Sequence, residues 1–184
     1  MSTLKDRMGD KVHHRNISTT THSCENGDII VEGELIDNRL VDTFDYQGEK
    51  TPPRMIHHLI VRLLINGQTF TIDDVEVDMP GIPREQCIET ADSLDRIKGI
   101  RIVQGFTLKI KEMYLNGQGC AHLVELLLAM APAAVQGFWT ALSQKPIPKD
   151  LSSMAVSFLT DTCWVWRKEG PAICQLIEEI DKKD

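Results

Sequence analysis

The residues with most chemistry to offer are a few cysteines and histidines. Gly119-Cys120-Ala121-His122 sets a thiol and an imidazole two positions apart, where a glycine-rich loop meets the start of a long apolar run. Unpaired amides and the dipole at a helix start favour a thiolate. Cys120 is therefore a candidate nucleophile with His122 as its base, or a soft metal ligand. Cysteine is also among the most buried residue types, and a core Cys beside a surface His accounts for the same spacing at least as well. Cys87 lies near the start of the preceding helical segment. Two cysteines at two helix starts can converge on zinc or an iron–sulfur cluster, which take several soft ligands from such turns, although no Cys-x-x-Cys strengthens that reading. His57 and His58 open an apolar strand, and since adjacent strand residues face opposite sides, only one of them can reach such a site. The candidate metal ligands are thus Cys87, Cys120, His57, His58, His122 and Cys163.

Cys163 sits in Asp161-Thr162-Cys163-Trp164-Val165-Trp166. In an extended segment Trp164 and Trp166 share a face, either as core or as the kind of aromatic surface that contacts a partner. The carboxylates Asp37, Asp42 and Asp45, and again Asp73, Asp74, Glu76 and Asp78, read as solvated strand ends. No P-loop, dinucleotide fingerprint, His-Glu-x-x-His or nucleophile-elbow motif occurs, so the common nucleotide, zincin and hydrolase chemistries lack a signature.

These residues need elements to hold them. Residues 1–27 are polar and read as a poorly packed N-terminal arm, with at most one short strand. Residues 28–184 read as one domain. Asp28–Ile36 alternates as a strand, and Leu40–Phe44 is a candidate return strand. Ile56–Ile65, the Asn66-Gly67 pair and Gln68–Val77 read as a hairpin with a two-residue turn, with a bulge near Asp73-Asp74 and an end at Pro80-Gly81-Ile82-Pro83. Pro83–Ile97 has helical spacing, with Gly99 as its stop. Residues 100–115 fit strand or helix, with helix preferred. Cys120–Leu142 is the longest helix, kinked or restarted at Pro132. Leu151–Phe158 and Ala172–Ile180 are helical, and Cys163–Trp166 is a short strand or turn. Strands followed by helices make an α+β fold, an antiparallel sheet packed against a helical layer.

Length and charge narrow the function. A chain of 184 residues suits one domain with its own core. A net charge of −7 and a pI near 5.4, with no Lys/Arg run, speak against nucleic acid and anionic membrane surfaces. Leu123–Leu142 approaches the length of a membrane span, but it contains Glu125, Pro132, Gln136 and Gly137 and is expected to be a buried core helix. The polar, charged opening from Met1 to Arg15 and the five widely spaced cysteines point to a reducing cytoplasm.

Several segments together resemble a bacterial family known as domain of unknown function 2889. They are Val31-Glu32-Gly33-Glu34-Leu35-Ile36-Asp37, the Cys87 segment, Lys98-Gly99-Ile100, Gly105-Phe106, Gly119-Cys120-Ala121-His122-Leu123-Val124-Glu125-Leu126 and Asp161-Thr162-Cys163. The resemblance implies a companion role in aromatic-acid metabolism, as an accessory or small subunit beside larger enzymes such as UbiD-type (de)carboxylases. More distantly, the order hairpin, Cys-bearing helix, further helix, Cys-bearing long helix resembles the NifU/IscU/SufU iron–sulfur scaffold fold. That resemblance implies Cys87 and Cys120 as two ligands of zinc or a cluster, with His57 or His58 near the first ligand region. The early cysteine of that family is missing from the hairpin here.

Three functional expectations follow. The first is a non-catalytic subunit or accessory protein with protein partners. The second is a zinc or iron–sulfur protein using Cys87 and Cys120. The third is a thiol enzyme with Cys120 as nucleophile.

Overall fold

The computed structural model describes residues 2–145 and 155–182. Four antiparallel strands form a meander, β1 (His13–Ser23), β2 (Ile29–Arg39), β5 (Arg54–Ile65) and β6 (Ile72–Gly81), in that spatial order. A two-stranded ribbon, β3 (Thr43–Phe44) with β4 (Lys50–Thr51), is inserted between β2 and β5. Among the described residues, the helices α1 (Phe106–Met113), α2 (Ala121–Leu142) and α3 (Pro171–Asp181) follow. Residues 155–159 add a further helical turn. The fold is α+β, as the order of strands and helices implies.

Side-chain alternation gives the sheet two unlike faces. Ile29, Val31 and Leu35 on β2 and Leu59, Val61, Leu63 and Ile65 on β5 are fully buried. They face α2, whose Leu123, Leu126, Leu127, Met130 and Ala134 are buried in turn. Gly33 continues the inward phase because α2 crosses there: a Cβ at Gly33 would lie 2.6 Å from Met130 Sδ. The opposite face stays solvated, with Arg62 bridging Glu32 (2.7 Å) and Asp78 (2.6 Å). An antiparallel sheet tolerates this division. α2 is, among the described residues, the one helix long and apolar enough to cross a membrane by length and composition. Here its apolar stripe is spent on the sheet, and it runs unbroken through Pro132.

The structure departs from the sequence reading in several places. The expected N-terminal arm contains β1, eleven residues paired throughout with β2. Its Ser/Thr-rich sequence looks unstructured because an edge strand needs little apolar surface, yet Arg15, Ile17, Thr19 and Thr21 keep one inward phase. The β5–β6 pairing is as expected, and the bulge is present, since partners step from Asp74 to Ile72 and leave Asp73 unpaired. The two-residue turn is not. The connection spans residues 66–71, with Asn66 Oδ1 accepting from the Gln68 and Thr69 amides (both 3.0 Å). That wider loop carries Phe70, at φ 59°, into the core between Phe138 and Phe158. β6 continues through Pro80, which an edge strand accommodates.

Pro83–Ile97 is not an α-helix. It forms two 3-10 turns, Glu85–Thr90 and Asp92–Ile97. Only Leu94 and Ile97 of its apolar positions are buried, and the Thr90 and Ser93 hydroxyls donate to carbonyls three residues back, a competing pattern that weakens α-helix. Leu40–Phe44 does not return along β2, and only Thr43–Phe44 pairs, with β4. Residues 100–102 are extended and bridge to Thr71 before α1 begins at Phe106. Cys163–Trp166 forms turns. Of the segment Leu151–Phe158, the residues 151–154 lie outside the described residues.

Candidate metal centre

The inward faces of β1, β2 and β5 change character at one end. Along β2 the buried phase runs Ile29, Val31, Gly33, Leu35 and then Asp37. Along β5 it runs back from Ile65 to Leu59 and then His57. Arg15, Asp37 and His57 are direct register partners, one polar rung across three strands. A bulge at Ile56 follows at once, where the β2 partners step from His57 to Met55, a local kink of the kind that re-aims a side chain. The first turn of α2 lies over this rung. Cys120 is its N-cap, with His122 and Glu125 one helical turn apart on the same side.

Asp37 is only 1% exposed, the one buried charged residue among those described. Arg15 grips it with both arms of the guanidinium: Nε donates to Oδ1 at 2.7 Å and Nη2 to Oδ2 at 2.6 Å. The third arm, Nη1, pairs with Glu125. His57 Nδ1 lies 3.0 Å from Asp37 Oδ2, His122 Nε2 3.9 Å from the same oxygen, and His13 Nε2 3.4 Å from Oδ1. The His57 and His122 rings stack with centroids 3.9 Å apart. His122 Nδ1 is 3.7 Å from Cys120 Sγ.

The Arg15 hydrogen bonds hold the Asp37 carboxyl down at about 2, against the opposing pull of its burial, with His57 helping. Asp37 is shielded by its partners at the rim of the sheet. Ionised, it can only accept, so the facing Nδ1 of His57 carries the ring proton. His122 is pushed below the ordinary histidine range, first by burial and then by the nearby His57 and Arg15 charges, which outweigh Asp37 and Glu125. At neutral pH it is a neutral imidazole with a lone pair to offer.

Asp37, His57 and His122 each place a ligand atom within 4.8 Å of the others. Two N or O ligands about 2.1 Å from one zinc ion at a tetrahedral angle lie about 3.4 Å apart. The 3.0 and 3.9 Å separations from Asp37 Oδ2 bracket that value. Asp37 and Glu125 set two carboxylates against the one guanidinium of Arg15, a balance that suits a cation better than an anion.

The structure therefore joins three of the residues that sequence singled out, His57, His122 and Cys120. Cys87, on a 3-10 turn, and Cys163, exposed in the turn after residues 155–159, do not belong to the three-ligand group. His58 faces the other side of the sheet, 2.8 Å from Glu34, so one histidine of the pair reaches the site, as strand geometry requires. Trp164 is 79% exposed beneath the Arg167 guanidinium, 4.3 Å from its ring centroid. Asp37 is a correction, because it is buried and central where a solvated strand end was expected. Arg15 and Glu125 were missed altogether. A cavity of about 670 Å³ between the start of α1, the middle of α2 and residues 157–162 contains none of these side chains.

A protein-family model described as "Protein of unknown function (DUF2889)" matches residues 13–136. That span begins with β1 and takes in the rung, Cys120, His122 and Glu125. No curated relative and no solved structure matches the chain.

Proposed function

This chain belongs to the DUF2889 family, whose description carries no activity, and from its own residues we propose that it binds a divalent transition metal, zinc or ferrous iron, on Asp37, His57 and His122. The observation that carries this reading is the mutual approach of one buried carboxylate and two imidazoles within 4.8 Å. Two histidines and one carboxylate leave coordination positions open, which is the pattern of catalytic rather than structural metal sites. A bound ion would be held by Asp37 Oδ2 with one ring nitrogen each from His57 and His122, and would act there as a Lewis acid. Cys120, beside His122 Nδ1, orients that ring. A ligand set of carboxylate and imidazole supports a mononuclear ion over an iron–sulfur cluster, which is held mainly by thiolates.

Titration of purified, metal-stripped protein with Co(II), followed by its visible absorption, tests the reading. One equivalent should bind to the wild type and none at comparable concentration to Asp37→Asn or His122→Ala. Equal binding by all three proteins would overturn it.

A second reading is favoured by the exposed Trp164 and its neighbour Val165: a cytoplasmic companion to larger enzyme subunits, of which a UbiD-type (de)carboxylase is one class. Co-expression with such a subunit should shift both proteins into one peak on gel filtration, and Trp164→Ala should separate them.

A further inference from the structure

Arg15 stands in an unusual place for a metal site. It is the β1 member of the polar rung, and its fork occupies both oxygens of the one carboxylate in the ligand group. A divalent ion binding Asp37 Oδ2 has to displace Nη2 from that oxygen or share it. Guanidinium and metal are then two cations on one carboxylate, and in this sheltered rim their repulsion is only weakly screened. A ligating carboxylate is ordinarily steadied by a hydrogen-bonded outer partner, and removing such a partner typically weakens metal binding about 10–100-fold.

The structure also supplies an alternative berth. The third arm of Arg15 already holds Glu125, whose carboxylate is 48% exposed and outside the ligand group. Glu125 rides on the first turn of α2, three residues after His122. Arg15 can release Asp37 and keep a carboxylate partner without leaving the cluster.

Resting on the metal reading above, we infer that Arg15 is the resident cation of this site: it neutralises Asp37 when the metal is absent and yields to the metal by moving wholly onto Glu125. Arg15 is then a positioning residue that sets how much free metal the site requires. Without it, metal-free protein would hold the buried Asp37 carboxylate among the His13, His57 and His122 rings with no fixed cation, and that carboxylate would capture whichever divalent ion was most abundant. With it, only an ion that binds both imidazoles as well as the carboxylate displaces the guanidinium. The exchange also ties metal occupancy to the link between β1 and α2, since the guanidinium bridges Asp37 and the helix in one state and holds the helix alone in the other.

Competition titrations of zinc against a chromophoric chelator, on wild type, Arg15→Gln, Arg15→Lys and Glu125→Gln, test the inference. Arg15→Gln should bind zinc about tenfold or more tighter than wild type, from loss of the competing charge. Arg15→Lys keeps the charge but not the two-pronged grip, and should fall between them. Glu125→Gln removes the alternative berth and should weaken binding. Weaker or unchanged binding by Arg15→Gln, alongside Asp37-dependent binding by wild type, would overturn the exchange while leaving the metal site intact. Zinc binding indifferent to Asp37→Asn in every background would overturn both. If Arg15→Gln does not fold, the Arg15→Lys and Glu125→Gln shifts decide: tighter binding for the first and weaker for the second support the exchange, and any other order refutes it.

Discussion

Two histidine–carboxylate pairs sit on opposite faces of the sheet at neighbouring positions of β5. His57 meets Asp37 at 3.0 Å inside, and His58 meets Glu34 at 2.8 Å outside. By distance and chemistry they are nearly the same contact. Their settings differ. Asp37 is buried beneath the start of α2, covered by part-exposed Arg15 and His122, whereas the Glu34 carboxylate lies on the solvated face beside the Arg62 network. The same two residue types give a candidate centre on one face and an ordinary surface pair on the other. What separates them is the burial of the carboxylate and the number of partners that converge on it.

The sharpest way to break this comparison is to delete each carboxylate. Asp37→Ala should cost about 1–3 kcal/mol in urea unfolding, because it removes the buried acceptor shared by Arg15 and His57 while Glu125 still holds the guanidinium. Glu34→Ala should cost less than about 1 kcal/mol. Equal losses would mean that burial is not what distinguishes the faces.

Metal binding should divide the histidines in the same way. His57→Ala should abolish Co(II) binding at micromolar protein, and His58→Ala should leave it unchanged. Loss in the His58 variant would place the site on the wrong face.

Acid titration offers a finer contrast. The folded value of Asp37, about 2, lies below its ordinary value of 3.8. Its contribution to stability is therefore complete above the unfolded value and is lost as pH falls through the folded one. In metal-free protein, the urea midpoint of wild type should approach that of Asp37→Asn between about pH 4 and pH 2. A gap that stays constant across that window would show that Asp37 is not held ionised as described.

The smallest effect belongs to the thiol. If Cys120 only orients His122, Cys120→Ser should weaken metal binding at most about 10–100-fold, the range for an outer partner. Complete loss would promote the sulfur to a ligand.

Much of this was legible beforehand. The β5–β6 pairing, α2 and the placement of one histidine of His57-His58 inside all follow from periodicity and strand alternation. Residue type drew attention to His122 and Cys120. Asp37 is hard to place from sequence because its charge suggests a solvated strand end while its phase points inward. It continues Ile29, Val31 and Leu35 in steps of two, and that alternation is the signal that could have placed it inside. Glu125, three residues after His122, was readable as a helical neighbour for the same kind of reason. Arg15 was hidden more deeply, since its strand is polar and its register is set only by pairing with β2. The Asn66-Gly67 turn was overridden by tertiary structure, as the gain from burying Phe70 against Phe138 and Phe158 outweighs a local turn preference.

At the end of the sheet away from Asp37, the β1–β2 and β5–β6 connections are locked together. The Gly67 amide donates to Asp28 Oδ1 at 2.9 Å, and a Cβ at Gly67 would sit 2.0 Å from the Gly27 carbonyl oxygen. Neither connection can be lengthened or redrawn without displacing the other, so for protein engineering they behave as a single closed clasp. Among the described residues, the ribbon formed by β3 and β4 has no such tie at its Asp45–Glu49 tip, where a bend is closed by its own residues. An affinity tag or a fluorescent reporter therefore belongs in that ribbon, where added sequence can hang free of the sheet.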